Sequence, residues 1–283
     1  MIKKLAKRVK GYTLSTVLTP LLVAVEVILE VIIPTVMGEL IDKGIEARDM
    51  NSTMKIGALL VVLCILSLFA GAASGWNAAT ASAGFAKNLR RDMYYNVQRF
   101  SFSNIDKFST SSIVTRLTTD VTNVQNAFQM VIRIAVRCPV MLIFSLIMAF
   151  RINSQLSLIF LAIIPFMGIA LGLIIGKASP VFERVFKNYD KLNNVVQENL
   201  HGIRVVKSFV REDYENKKFK NVSGRIYKDF LSAEKLLAFN SPVMQLAVYT
   251  SILLISWFGA KVIVNTAGYA VPELTVGTLS SLI

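Results

Sequence analysis

Residues 56–86 contain no charged side chain. As an α-helix rising 1.5 Å per residue, a run of that length exceeds the roughly 30 Å hydrocarbon core of a bilayer. A soluble domain would have to bury such a helix on every side. The rest of the chain repeats the pattern, with 54% hydrophobic residues gathered into runs of similar length, so an all-α membrane protein is the expected fold class. Six spans are predicted, at residues 11–41, 56–86, 130–150, 152–176, 236–260 and, incomplete, 274–283. The last is too short to cross a bilayer, and the chain reads as cut there.

The charges between the spans give a direction. Residues 1–10 carry Lys3, Lys4, Lys7, Arg8 and Lys10 and no acid. The apolar run behind them is far longer than the roughly 7–15 residues of a signal-peptide core, so the reading is a short basic interfacial helix ahead of the first span. Pro34 stands toward the far end of that span, where a kink is tolerated if neighbours satisfy the freed carbonyl. Lys87, Arg90 and Arg91 close the second span. With the amino terminus in the cytoplasm, the amino-terminal segment and two polar excursions hold nearly all Lys and Arg, and the outer loops are close to neutral. The formal net charge of +13 then reflects topology. Nucleic acid is not an expected partner, because no basic groove interleaved with aromatics appears.

The longer excursion, about residues 177–235, is too long for a structureless loop. Within it Leu200, Ile203, Val206 and Phe209 recur at three-residue steps while Arg204, Lys207 and Arg211 take other faces, the pattern of an amphipathic helix. Both flanking spans are expected to continue as helical cytoplasmic extensions of roughly 40 Å each, joined by a short turn near Asp213. The shorter excursion has helical period at Ile113, Leu117, Val121 and Val124, with the serine cluster at Ser109–Ser112 as a break and N-cap.

Inside the membrane a few residues stand out. The uncharged part of the third span, residues 138–150, is too short to cross, so Arg133 and Arg137 are drawn into the inner part of the bilayer. Glu26 and Glu30 lie one turn apart in the first span, and the helical rise puts Glu26 and Arg137 at similar depth. Glu26 or Glu30 is expected to pair with Arg133 or Arg137 on a cavity wall, either fixing helix register or contacting cationic substrates. The small residues from Gly71 to Ala79, and Gly168, Gly172 and Gly176, read as close-packing helix faces. His201 reads as a solvated residue, and Cys64 and Cys138 read as small packing residues without a disulfide. Phe128, Met130 and Trp257 face lipid, a neighbouring helix or substrate, and the sequence does not choose among these.

Four stretches resemble the transmembrane domains of ATP-binding-cassette (ABC) exporters. ENLHGIRVVKSF, starting at Glu198, looks like the family's approach to its second coupling helix, which the resemblance puts at about residues 210–219. NIDKFSTSSIVTRLTTDV, starting at Asn104, is similar to the first intracellular loop, with the first coupling helix near residues 104–112. IPTVMGELID from Ile33 and TVGTL from Thr275 are further matches. Ser111 and Ser112 stand where many members have glycine, and with IRIAVRCP from Ile132 this looks most like one half of bacterial heterodimeric multidrug exporters.

The resemblance implies a half-transporter with six transmembrane helices, the sixth truncated here, and no nucleotide-binding domain in this chain. A second half-transporter and an ABC nucleotide-binding domain are the implied partners, with ATP and Mg held in that missing domain. Asn104, Ile105, Asp106, Lys107 and Phe108, and Arg211, Glu212, Asp213 and Tyr214, are implied to contact it. The implied setting is the bacterial inner membrane, the implied cargo a small lipophilic compound. No catalytic motif is visible: a phosphate loop needs G-x-x-x-x-G-K-[ST], and ahead of Gly176-Lys177 the first glycine is replaced by Leu171. An exporter of the same architecture dedicated to a peptide, lipid or siderophore is one alternative, and a secondary transporter or channel is the other, though it leaves the long helical arms unexplained.

Overall fold

A computed structural model describes residues 5, 7–101, 109–266 and 274–283. Among these there is helix and no strand. The elements are α1 (Thr13–Leu40), α2 (Met50–Gln98), α3 (Thr110–Ile152), α4 (Ser154–His201), α5 (Ile203–Ser208), α6 (Glu212–Ala238), α7 (Asn240–Thr266) and α8 (Val276–Leu282). The helices α2 and α4 contain 49 and 48 residues, roughly 70 Å each at 1.5 Å per residue. That is about twice the hydrocarbon thickness of a bilayer, so each must run well beyond it. The chain divides into two compact units, one of Met1–Ser157 with Phe258–Ile283 and one of Leu158–Trp257.

In the first unit α1, α2 and α3 pack on one another, and α8 packs on α1. The seam is built from small side chains on α2. Ser74, Ala78, Ala81, Ser82 and Ala86 are buried there, with Val23 and Val27 of α1. With no hydrophobic drive between helices in lipid, thin faces that let backbones approach supply the packing. At the amino-terminal end the aromatic ring of Tyr12 lies on the bare backbone of Gly84. Phe85 stacks on Phe128 with ring centroids 4.7 Å apart, so Phe128 packs against a neighbouring helix. Met130 is exposed.

Helix ends follow capping chemistry. Ser109 Oγ accepts from the Ser112 amide at 3.2 Å and starts α3, as the serine cluster predicts. Asn153 separates α3 from α4, its Oδ1 accepting from the Leu156 amide at 3.0 Å. Two stretches widen to π-helical turns, Ile41–Glu46 after α1 and Arg116–Asp120 within α3. At the second, Arg90 Nε donates to the Leu117 carbonyl at 3.3 Å and Arg90 Nη2 to Thr122 Oγ1 at 3.0 Å. The guanidinium serves a backbone oxygen where the regular ladder is interrupted.

Asp49 caps α2, accepting from the Asn51 amide at 3.0 Å and from Ser52 Oγ at 2.5 Å. The Ser52 hydroxyl, and after it the Asn51 amide, hold this carboxyl below its ordinary value. A depressed folded pKa contributes stability that is present above the ordinary Asp value of about 3.9 and is lost as pH falls through the lower folded value. The thermal midpoints of wild type and Asp49→Ala are therefore expected to differ at neutral pH and to converge under acid. A gap unchanged on acidification would show that the cap is not charge-dependent.

The second unit is an antiparallel helical hairpin. Lys218 Nζ donates to Glu198 Oε2 at 2.6 Å, Asn188 Nδ2 donates to Asp229 Oδ2 at 2.8 Å, and Phe182 meets Phe230 edge-on at 6.3 Å. As the partner on α4 moves back along the chain, the partner on α6 moves forward, which fixes antiparallel pairing between two rods. Val185, Ile226 and Ala233 are buried in this unit. Pro242 explains why α6 and α7 are interrupted only at Phe239. It has no amide hydrogen for the Ala238 carbonyl, yet sits in a first turn, where the helix tolerates it.

Some expectations change. Gly168, Gly172 and Gly176 meet nothing within 4 Å of where a Cβ would stand. The close approaches are made by other glycines, Gly38, Gly44, Gly84, Gly259 and Gly277. Cys64 and Cys138 are free and exposed, not packed. The amphipathic helix expected through Leu200, Ile203, Val206 and Phe209 is interrupted at Gly202, which ends α4, and stops at Val210, which adopts a left-handed φ of 52°.

Candidate functional site

Glu26 and Glu30 lie on one face of α1, and α3 brings Arg137 against both. Arg137 Nη1 donates to Glu26 Oε1 at 2.8 Å, and Nη2 donates to Glu30 Oε1 and Oε2 at 2.8 and 2.7 Å. One planar guanidinium thus grips two carboxylates one turn apart, an arrangement for which Arg is suited and Lys is not. The third wall is α2. Ser74 Oγ lies 3.5 Å from Glu26 Oε2 while donating to the Gly71 carbonyl at 2.9 Å. A Cβ on Gly71 would stand 3.0 Å from Glu26 Oε1, so the thin face of α2 makes the space for this carboxylate.

Arg133 lies one turn below Arg137 on α3. Its Nη1 is 3.9 Å from where a Gly75 Cβ would be, and its guanidinium has neither an ion pair nor a hydrogen bond to the described residues. The two carboxylates and two guanidinium groups balance formally. Glu26 is buried at 8% exposure, whereas the side chains of Arg137 and Glu30 keep 32% and 33% of theirs. The cluster therefore has one enclosed acid and an accessible edge. Two turns along each helix, Ser82 Oγ lies 3.2 Å from Gln129 Oε1, extending a polar track between α2 and α3. The sequence marks Ser74 only as part of a thin packing face and does not single out Ser82 or Gln129. The available signal was the four-residue spacing of Gln129, Arg133 and Arg137 inside an apolar helix.

At the tip of the second unit α5 is a single short helix between two turns. The Arg211 amide donates to the Val206 carbonyl at 2.9 Å across the second turn. Positive φ at a β-branched residue such as Val210 is a strained conformation for an L-amino acid. The expected coupling helix at residues 210–219 is corrected accordingly: no separate helix begins at Val210, and residues 212–219 form the first turns of the 27-residue α6. The chain reverses ahead of Asp213, which sits in the first turn of α6 with Glu212 and Glu215. There the acids complement the positive end of the helix dipole.

Arg211, Glu212, Asp213 and Tyr214 are all exposed at this tip. An open groove of about 620 Å³ is lined by Val205, Val206, Phe209, Arg211, Tyr214 and Glu215. Phe209 and Val210 expose 73% and 80% of their surface. Leu200 and Ile203 are exposed as well, so the apolar stripe read as an amphipathic face is uncovered in this chain. The hydrogen bond to Glu198 holds the Lys218 ammonium above its ordinary value. Asn104, Ile105, Asp106, Lys107 and Phe108 lie outside the described residues.

Residues 16–283 match the family model of the ABC transporter transmembrane region. The chain belongs to this family. It is similar to an uncharacterized ABC transporter ATP-binding protein, YfiB, of Bacillus subtilis (strain 168), at 32% identity over 92% of this chain and 45% of the relative. It is also similar to the uncharacterized ABC transporter ATP-binding protein Rv1273c of Mycobacterium tuberculosis (strain ATCC 25618 / H37Rv), at 27% over 92% and 44%. A more distant relative is an ATP-dependent lipid A-core flippase of Pseudomonas savastanoi pv. phaseolicola (strain 1448A / Race 6), at 24% over 72% of this chain and 34% of that protein. The chain thus spans less than half the length of the curated relatives it matches.

As an ABC exporter transmembrane domain the molecule is a multi-pass, all-helical membrane protein. Among the described residues, five helical stretches are long and apolar enough to cross a bilayer. Among the described residues there is no grouping of three or more His, Cys, Asp or Glu able to hold a metal ion. His201 is exposed, its Nδ1 3.1 Å from the Gln197 carbonyl oxygen.

Proposed function

We propose that this domain forms half of the substrate pathway of an ATP-driven exporter and converts motion of a nucleotide-binding domain into reorientation of that pathway. The observation that carries the reading is the pair of rods in the Leu158–Trp257 unit, tied by side chains from Phe182 to Lys218 and ending in an exposed turn. A stiff helix transmits displacement, whereas a loop absorbs it. ATP and Mg belong to the nucleotide-binding domain, and a second half-transporter, the same or different, completes the pathway. The amino terminus lies in the cytoplasm, following the distribution of Lys and Arg, in the inner membrane of a bacterium.

The cargo in this reading is a small lipophilic compound, cationic species among them, with Glu26 and Glu30 offering negative charge beside Arg133 and Arg137. Ionisable groups at membrane depth face a bundle interior or a watery cavity. A lipid cargo is the second reading, favoured by the name of the flippase relative. Transport of a lipophilic cation and of a fluorescent lipid by the same vesicles separates the two.

Coupling is tested at the tip. Reversing Glu212 and Asp213 to lysine is expected to abolish substrate-stimulated ATP hydrolysis while leaving membrane insertion intact. The neutral pair E212Q/D213N, milder toward the helix dipole, is expected to lower stimulation partially. Normal stimulation in the reversed variant would remove this turn from the coupling path.

A further inference from the structure

Where α1 and α2 end on the amino-terminal side, the chain forms a pocket unrelated to the ion cluster. Residues Lys7–Val9 make one 3-10 turn, and Gly11, at φ 91°, lets the chain swing into α1. Asn88 on α2 holds this strap with both amide hydrogens, donating to the Arg8 carbonyl at 2.8 Å and the Lys10 carbonyl at 2.9 Å. Arg8 also pairs with Asp92. The strap is therefore fastened to α2 by backbone and side chain alike, and its two carbonyl oxygens are consumed by Asn88.

What remains on the walls is cationic. The pocket is open, about 370 Å³, and lined by Arg8, Lys10, Gly11, Asn88, Arg91 and Asp92, with no apolar side chain. Its one acid, Asp92, is 15% exposed and neutralised by Arg8. The Lys10 ammonium has neither an ion pair nor a hydrogen bond to the described residues, and the Arg91 guanidinium, on a side chain 57% exposed, pairs with the neighbouring Asp92 at 3.4 Å. Two cations thus converge on a fixed rim whose one carboxylate, Asp92, is already shared with Arg8. The apolar spans start just after Gly11 and end just before Lys87, so the pocket opens at the boundary between hydrocarbon and water. The volume suits roughly ten waters at about 30 Å³ each, enough for a hydrated phosphoryl group and too little for acyl chains.

We infer that this pocket binds the phosphoryl group of an anionic phospholipid from the leaflet on the amino-terminal side, with Lys10 and Arg91 as its ligands. Arg and Lys donate to phosphate oxygens by charge-assisted hydrogen bonds, and anionic leaflets attract basic groups held beside a span. The bound lipid pins the start of α1 to the end of α2 and to the membrane surface together. This reading needs only that the chain spans a bilayer, and it stands whether or not the tip of the second unit couples to an ATPase.

The test is lipid retention by the full chain in micelles, read by native mass spectrometry with phosphatidylglycerol, phosphatidylcholine or inorganic phosphate as probe. Wild type is expected to retain phosphatidylglycerol over phosphatidylcholine. K10Q/R91Q is expected to weaken that preference by about fivefold per charge removed, and the charge-preserving K10R/R91K to keep it. K43Q/K55Q, with two lysines from the other end of the spans changed, is expected to behave as wild type. Arg8, Asn88 and Asp92 stay intact throughout, so the strap remains fastened. Equal retention by wild type and K10Q/R91Q, or equal loss in K43Q/K55Q, overturns the site. Binding of inorganic phosphate with no preference between the two lipids overturns the lipid assignment.

Discussion

Arg137→Ala is expected to lower the stability of the domain by about 3 kcal/mol, the lower end of what removing one partner of a buried ion pair costs. The substitution strips Glu26 and Glu30 of the guanidinium that holds them at 2.7–2.8 Å, and Glu26, 8% exposed, has only Ser74 left. The lower end is appropriate because Arg137 and Glu30 each keep about a third of their exposure and regain some solvent. Arg137→Lys keeps the charge but cannot grip two carboxylates in one plane, so an intermediate loss follows. Reversible unfolding in mixed micelles measures both.

The triple variant E26Q/E30Q/R137M then separates structure from function. Replacing a whole buried ion group by uncharged residues is often neutral or better for stability. If the cluster only sets helix register, transport of a lipophilic cation survives in that variant together with stability. If the carboxylates contact cargo, stability returns and cation transport does not. Equal stability of wild type and Arg137→Ala would refute the cluster as a structural element.

The second large effect is expected at the contact between α1 and α8. Asp42 Oδ1 accepts from the Gly277 amide at 2.8 Å, and Asp42 Oδ2 accepts from Thr275 Oγ1 at 2.6 Å. Asp42 thus caps α8 from the π-helical turn after α1, alongside the capping box that Thr275 makes with Thr278. The contact depends on two bare backbones, since a Cβ on Gly38 would stand 2.5 Å from the Gly277 carbonyl oxygen, and one on Gly277 would stand 2.5 Å from Asp42 Oδ1. The Gly277 carbonyl is backbone, and a Cβ on Gly277 would also meet the backbone carbonyl oxygen of Gly38, closer than it meets the Asp42 carboxylate.

Gly277→Ala is therefore expected to cost about 1–3 kcal/mol through overpacking, and Gly277→Val more, because a branched side chain also displaces the Asp42 carboxylate from the helix terminus. Ser280→Ala, at an exposed position one turn on, is expected to stay within about 0.5 kcal/mol of wild type. The same micelle unfolding experiment reads all three. A tolerated Gly277→Val would mean that α8 is not seated on α1 in solution.

Both sites were half legible in the residues. Glu26, Glu30, Arg133 and Arg137 announced themselves because charge in an apolar helix is costly and demands a partner, and counting 1.5 Å per residue set two of them at one depth. Which arginine takes the acids depends on rotation about each helix axis, which counting cannot supply. Arg137 faces α1, while Arg133 lies beside Gly75 of α2. In the sequence IPTVMGELID and TVGTL are separate motifs. That Asp42 of one caps the helix begun by the other is a contact across more than 230 residues of chain, with no local trace.

The amphipathic reading of Leu200, Ile203, Val206 and Phe209 as one helix failed for a related reason. Apolar spacing describes which residues would share a face if one helix ran through, and it does not register a glycine stop at Gly202 or the left-handed turn at Val210. The glycine repeat Gly168, Gly172 and Gly176 likewise marks a face suited to packing without saying that anything in this chain covers it.

By itself the sequence determined that the chain is a set of membrane-crossing helices that continue as rods beyond the bilayer, because hydrophobic length, charge distribution and helical rise are properties of each segment alone. Only the tertiary structure decided that Arg137 closes on both glutamates, that Gly71 makes room for one of them, and that Asp42 caps α8. Those outcomes hang on how helices turn and approach in three dimensions, where a missing Cβ counts for as much as a charge.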